Sequence, residues 1–216
     1  IRDVAPSRGL GDVYKRQVYN YLAETTRYVS IQLGIGGLQH IAASDVCRAG
    51  FGDCKGLSNY THAMLKELGI PSVYTVISTD NERLLPDFSS VDQMNHAILQ
   101  VPLPEDTLWL ECTNPQLPFG YVHSSIAGHD ALLITKEGGI MCRLPSYPDS
   151  LNTQTTNASV TLTPTGGAKI KASEISHLFQ YESTAGITRL EPSHRKDYLR
   201  SGINLIQANI NNIQIN

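Results

Sequence analysis

The chain has 216 residues, with 17 Lys+Arg against 20 Asp+Glu, a formal net charge of −3 and an apolar fraction of 41%. That length can bury a sizeable core, while a mildly acidic chain with no basic run lacks the electrostatic footprint of a nucleic-acid binder, and no apolar stretch approaches the ~18 residues a membrane helix needs. Four cysteines (Cys47, Cys54, Cys112 and Cys142) are too few for a disulfide scaffold, and none of them forms a CxxC pair.

The chain begins at Ile1 rather than Met, and near its other end Gln207 to Asn212 carry no turn signal; a fragment of a longer chain is expected. Residues 1–17 contain Gly9 and Gly11 and show no clear helical or strand period, and SRGLGDVYKRQ resembles a spurious translation of linker sequence. They are expected to be a non-native or disordered leader. Val18, Leu22, Thr25 and Val29 lie at helical spacing and predict a short helix over 18–29. Tyr28 to Leu33 then reads as a strand stopped by Gly34, Gly36 and Gly37. Ser44 to Ala49 reads as one helical turn capped by Ser44. The clearest helix follows Phe51-Gly52-Asp53-Cys54, with Leu57, Tyr60, Thr61, Met64, Leu65 and Leu68 on one face, Gly69 placed as C-terminal cap and Pro71 barring continuation.

Val73 to Ile77 is β-branched and aromatic and reads as a strand, and 78–94 as a polar loop. Asn95 to Val101 and Asp106 to Thr113 read as a hairpin around Pro102-Leu103-Pro104-Glu105, and Ala131 to Thr135 as a further strand closed by Gly138 and Gly139. Helices followed by sequential strands argue an α+β fold rather than parallel βαβ units. Beyond Tyr147 the residues 149–157 are mostly Asn, Ser, Thr and Gln and read as a linker. A hairpin is expected from 158–162 and 169–172 around Pro164-Thr165-Gly166-Gly167, and a weaker helix over 192–208.

Cys54 opens the strong helix, where the positive end of the helix dipole favours thiolate, the nucleophilic form. Its own N–H, in the first helical turn, is available to an oxyanion. Gly52 lets the backbone approach closely at this turn. The competing reading is a small buried hydrophobe. If Val101 pairs with Asp106, His96 falls opposite Glu111 on one face of the hairpin. A carboxylate there would fix the tautomer of the imidazole. Cys54, His96 and Glu111 then supply nucleophile, base and orienter in chain order. His96 follows Cys54 by 42 residues, far short of the roughly 130–150 residues that separate the two in papain-type proteases.

The strings GDCKGLSNYTHAMLKELGI, NHAILQV and LWLECT, in that order, resemble the core of the transglutaminase-like superfamily, most nearly its bacterial multidomain members with a β-rich domain following the core. The likeness covers roughly Tyr21 to Tyr147. It implies a papain-like/transglutaminase-like α+β core over 18–147, in which the helix bearing the nucleophile packs on an antiparallel sheet, followed by a linker and partial β-rich domain over 148–216. By position, Cys54 matches the family nucleophile, His96 its base and Glu111 its acidic third member. The implied activity is cysteine-dependent acyl transfer on a protein or peptide amide through a thioester that passes to an amine or to water. No metal or organic cofactor is implied, and relatives of this layout are commonly exported to or beyond the periplasm. Two departures stand out: Glu111-Cys112-Thr113 replaces the usual Asp-Pro-Thr, and Ala97-Ile98 lacks the tryptophan many members carry after the histidine. The alternative is a catalytically inactive scaffold that binds proteins or peptides, with the 78–94 loop and the appended β-rich segment as its recognition surface.

Other residues weigh less. His62 reads as a solvated or capping residue. Cys112 should face away from Glu111 as its strand neighbour, into the core. His123 and His129 read as surface residues, Trp109 as a wall of the site or ordinary packing, and Asn95 as a residue that holds the loop or meets substrate.

Overall fold

A computed structural model describes residues 10–31, 33–115, 117–202 and 209–215. The chain divides into two units, Ile1–Ser146 and Tyr147–Asn216. The first helix, α1 (Leu10–Thr25), begins well before the expected boundary. Lys15, Val18, Tyr19 and Leu22 are all buried and lie at helical spacing. Lys15 reads as polar in the sequence, yet it lays its stem inward and pairs with Asp12 at 3.2 Å. The guanidinium of Arg16 sits 4.7 Å from the Phe119 ring. Residues 10–17 are therefore helical rather than disordered, while 1–9 lie outside the described residues. The helix also stops sooner than 18–29 suggests, because the Thr25 and Thr26 hydroxyls donate to the carbonyls of Tyr21 and Leu22.

The predicted strand over 28–33 shrinks to β1 (Arg27–Tyr28), which pairs in parallel with β2 (Phe51–Gly52). Between them α2 (Ala43–Ala49) starts at Ala42 with no side-chain cap, so Ser44 is inside the helix rather than its cap. Gly50, at φ 68°, ends that helix in the left-handed conformation. Next comes α3 (Cys54–Glu67). Gly69 adopts φ 69°, and the Ile70 amide reaches back to the Leu65 carbonyl at 2.9 Å, closing the helix as its sequence predicts.

The five-stranded sheet has the order β5-β4-β3-β6-β7 and is antiparallel throughout. Its strands are β3 (Val73–Ile77), β4 (His96–Pro102), β5 (Thr107–Leu110), β6 (Asp130–Thr135) and β7 (Gly138–Arg143). β3 matches the expected span. β7 was not expected: Gly138 and Gly139 end no strand but begin one. Gly139 pairs with Ile134, and a Cβ there would stand 2.9 Å from the Leu132 side chain. The β4–β5 register also differs from the sequence reading. Pro102 pairs with Thr107 and Leu99 with Leu110, a shift of two residues from the pairing that set Val101 against Asp106. An even shift leaves every side chain on its face, so His96 and Glu111 still share one.

Leu99, Val101, Leu108, Leu110 and Cys112 form one buried face, packed with Val18, Tyr19 and Leu22 of α1, Val46 of α2, and Leu57, Tyr60 and Leu65 of α3. The helices thus cover one side of the β4–β5 hairpin. In the second unit, β8 (Gln154–Leu162) and β9 (Ala168–Ser176) form a two-stranded ribbon, followed by α4 (Phe179–Glu182) and α5 (Pro192–Gly202). The expected linker is corrected over Gln154 to Asn157, which lie in β8 opposite Ser173 to Ser176, since threonine suits an extended ladder. Of the helix expected over 192–208, residues 203–208 lie outside the described residues.

Leu99 is fully buried between sheet and helices. Leu99→Ala should cost about 2–5 kcal/mol in urea unfolding; a cost below 1 kcal/mol would mean that this layer is not the core.

Candidate active site

The site grows from the start of α3. Asp53, buried and extended at φ −83° and ψ −174°, caps the helix by accepting from the Gly56 amide at 2.9 Å. Its second carboxylate oxygen meets the Lys55 ammonium. Cys54 therefore stands at the first helical position, buried, where the backbone N–H has no intrahelical acceptor. Gly52 earns its place by packing rather than by an unusual backbone angle: a Cβ there would stand 3.4 Å from both Leu57 and Val46.

One turn on, Ser58 lies on the same helix face as Cys54. Its hydroxyl donates to the Ala97 carbonyl at 3.0 Å. Ala97 follows His96 at the start of β4, so this bond ties the thiol-bearing turn to the strand end that carries the imidazole. The Cys54 side chain lies near enough to His96 to favour its charged form. The His96 Nε2 atom lies 2.8 Å from Glu111 Oε2, which leaves Nδ1 as the ring nitrogen for the cysteine side. Cys54, His96 and Glu111 are thus brought together in the order expected from sequence.

Glu111 is almost fully buried and its carboxylate is saturated with donors. Oε1 accepts from the Thr113 amide at 2.8 Å and the Thr113 hydroxyl at 2.5 Å. Oε2 meets His96 and, at the same 2.8 Å, His123 Nε2. The Glu111 backbone carbonyl accepts from the Tyr19 hydroxyl at 3.0 Å, which anchors the site to α1. Burial pushes the Glu111 carboxyl up, but the hydrogen bonds and charges of His123 and His96 prevail and hold it well below the usual carboxylate range. Burial also works against a charged His96, and is outweighed by its bonds to Cys54 and Glu111; its pKa is pushed up to about 10.

His123 is the residue the sequence reading missed. It was expected at the surface, but its side chain is only 17% exposed and its Nδ1 lies 2.8 Å from the Ser125 hydroxyl. No periodic pattern links a loop histidine to a carboxylate 12 residues earlier; the closure of the loop onto the strand end does. His129 is likewise half-buried, with Nδ1 2.8 Å from the Ser78 carbonyl. Cys112 faces the helices, where burial pushes its thiol up to about 12 and leaves it an inert, protonated packing group. His62 stays outside the site, 2.8 Å from Ser72. Asn95 holds the loop, accepting from the Thr79 amide at 2.9 Å and donating to Asp80 at 2.8 Å. Trp109 is buried on the strand face that Glu111 shares. Cys47, Cys54, Cys112 and Cys142 are all free thiols.

Residues 13–113 match the family described as the transglutaminase-like superfamily. Among solved structures, the chain is similar to a Parabacteroides distasonis protein described as a proposed protease, at 12% identity and a TM-score of 0.52, over 74% of this chain and 32% of that one. It is also similar to Legionella pneumophila LapG in an EGTA-treated form, at 15% identity and a TM-score of 0.36, over 52% of this chain and 56% of that one. The chain therefore spans about a third of the first structure and just over half of the second. No curated protein matches.

The raised His96 and lowered Glu111 give this site a pH signature. The His96 contribution to stability is complete below its ordinary pKa of 6.5 and is lost as pH rises through about 10. The Glu111 contribution is complete above its ordinary pKa of 4.5 and is lost only as pH falls through its lowered value. Both are fully expressed between these two ordinary values. The stability gap between wild type and His96→Gln in urea unfolding should therefore be constant between pH 5 and 6 and shrink from pH 7 to pH 10. A gap independent of pH would refute the charge pairing.

Proposed function

We propose, from the match of residues 13–113 to the transglutaminase-like superfamily, that this chain performs cysteine-dependent acyl transfer on protein or peptide amides, with Cys54 as nucleophile, His96 as acid and base, and Glu111 as the group that orients His96. The observation that carries this reading is one continuous chain of contacts. A buried thiol at a helix N-terminus meets an imidazole whose far nitrogen is held 2.8 Å from a buried carboxylate.

The steps follow from the positions. Cys54 Sγ attacks the amide carbon as a thiolate, with its proton on His96. Charge that develops on the carbonyl oxygen meets the Cys54 N–H at the positive end of α3. The C–N bond breaks as His96 passes its proton to the departing amine, leaving a thioester. An amine or a water then attacks the thioester and gives its proton to His96, which returns it to the sulfur as the acyl group leaves. Glu111 stays ionised throughout. With all four of its hydrogen bonds made, it fixes Nε2 and leaves Nδ1 as the nitrogen that shuttles the proton. Glutamate in place of the shorter aspartate is accommodated because Thr113 clamps its outer oxygen.

A second reading has an observation of its own. The 78–94 loop exposes Leu85, Phe88 and Val91 by 59–63%, apolar side chains that suit a binding surface on a scaffold without turnover. Thiol labelling separates the two. Iodoacetamide should alkylate Cys54 faster than Cys47 and Cys142 despite its burial, and His96→Ala should slow Cys54 alone, by about 10²–10⁴-fold if its acid–base contribution is typical. Equal, slow labelling of all the cysteines would leave only the binding role. A peptide amide incubated with and without a primary amine then shows whether amine or water takes the acyl group.

A further inference from the structure

Glu111 Oε2 receives two imidazoles at once, and His123 has no part in the steps above. Three ligand atoms, His96 Nε2, Glu111 Oε2 and His123 Nε2, lie within 4.8 Å of one another, each nitrogen 2.8 Å from the shared oxygen. Two imidazoles and one carboxylate converging with open positions are the donor set of a borderline divalent ion such as zinc, whose bonds to nitrogen and oxygen run about 2.0–2.2 Å. The outer partners of such a site are also in place. His123 Nδ1 lies 2.8 Å from the Ser125 hydroxyl, Cys54 neighbours His96, and Glu111 Oε1 is held by Thr113 through both its amide and its hydroxyl. Partners on the far nitrogens and the second carboxylate oxygen are what fix ligand orientation in metal centres. The side chains of His96 and His123 are 13% and 17% exposed, so the cluster is buried without being sealed.

We propose that His96, Glu111 and His123 form a binding site for a divalent transition metal of the zinc type, in which His96 Nε2 leaves Glu111 for the metal. In the bound form each imidazole gives its Nε2 lone pair to the ion and carries its proton on Nδ1, where the Ser125 oxygen accepts it from His123 and the Cys54 sulfur accepts it from His96. Cys54 Sγ is not among the three converging ligand atoms. Bound metal holds His96 in one tautomer and stops it from shuttling protons, so the site doubles as a reversible brake. The brake rests on the acyl-transfer reading; the metal site does not.

The test is calorimetric titration of the full chain, without a histidine tag, with Zn²⁺, alongside Co²⁺ absorption spectra. One equivalent should bind. His123→Ala should weaken binding by more than about 100-fold and Ser125→Ala by about 10–100-fold, as expected for a ligand and an outer partner, while Cys54→Ser changes it only a few-fold. Co²⁺ should show no sulfur-to-metal charge-transfer band. Wild-type circular dichroism and melting temperature in each metal-free variant rule out simple misfolding, and Ser125→Ala alone carries the test if His123→Ala fails to fold. Absence of saturable binding, binding indifferent to His123 and Ser125, or binding lost in Cys54→Ser overturns the proposal. Because every readout is made without substrate, a chain with no turnover leaves the metal result standing.

Discussion

The site depends on one buried carboxylate that accepts four hydrogen bonds. Glu111 could not remain ionised in the interior unless its oxygens were met by donors, and Thr113, His96 and His123 meet them all. Each donor comes from a different place: the residues just past β5, the first residue of β4, and the loop before β6. The carboxylate therefore gathers three chain segments around a single charge. Tyr19 extends the arrangement to α1 through the Glu111 backbone carbonyl. Removing Glu111 would orphan partners on several elements together, and a saturated network of this kind is worth more than a count of its bonds.

The second constraint is the alignment of α3 with β4. A helix rises 1.5 Å per residue and a strand about 3.4 Å, so two elements can agree at one level and drift apart at the next. Ser58 sets the level, one turn past Cys54, by bonding to the carbonyl just past His96. Below that point Leu57, Tyr60 and Leu65 pack on Leu99, Val101 and Leu110. The apolar layer supplies the attraction and the single hydroxyl selects the register. Asp53 closes the other end of the problem by capping the turn that presents the thiol.

Much of this was legible in the residues. The face of α3 follows from helical periodicity, the span of β3 from its β-branched and aromatic residues, and the pairing of a histidine strand with a glutamate strand from the turn between them. The β4–β5 register was read two residues off. The faces survived because side chains alternate, so an even displacement keeps His96 and Glu111 together. What was missed has local causes. Lys15 buries its stem while scoring as polar, which hid the first half of α1. Gly139 admits the Leu132 side chain and so begins a strand where glycine suggests an end. His123 depends on a loop closing onto the sheet, and nothing in a one-dimensional pattern records that closure.

The β8–β9 ribbon differs in kind from the five-stranded sheet. Nearly all of its eighteen paired residues are exposed, and among the described residues both its strands are edges. Its nine cross-strand pairs are held by backbone bonds and surface contacts such as Val160 against Ile170, with little apolar area withdrawn from water. A ribbon built in this way is marginal in isolation, so it melts by its own local equilibrium rather than with the interior that holds Glu111. Its amides would exchange with solvent long before those of β3 and β4. A single melting midpoint for the whole chain would therefore describe the five-stranded sheet and its helices and say little about the ribbon.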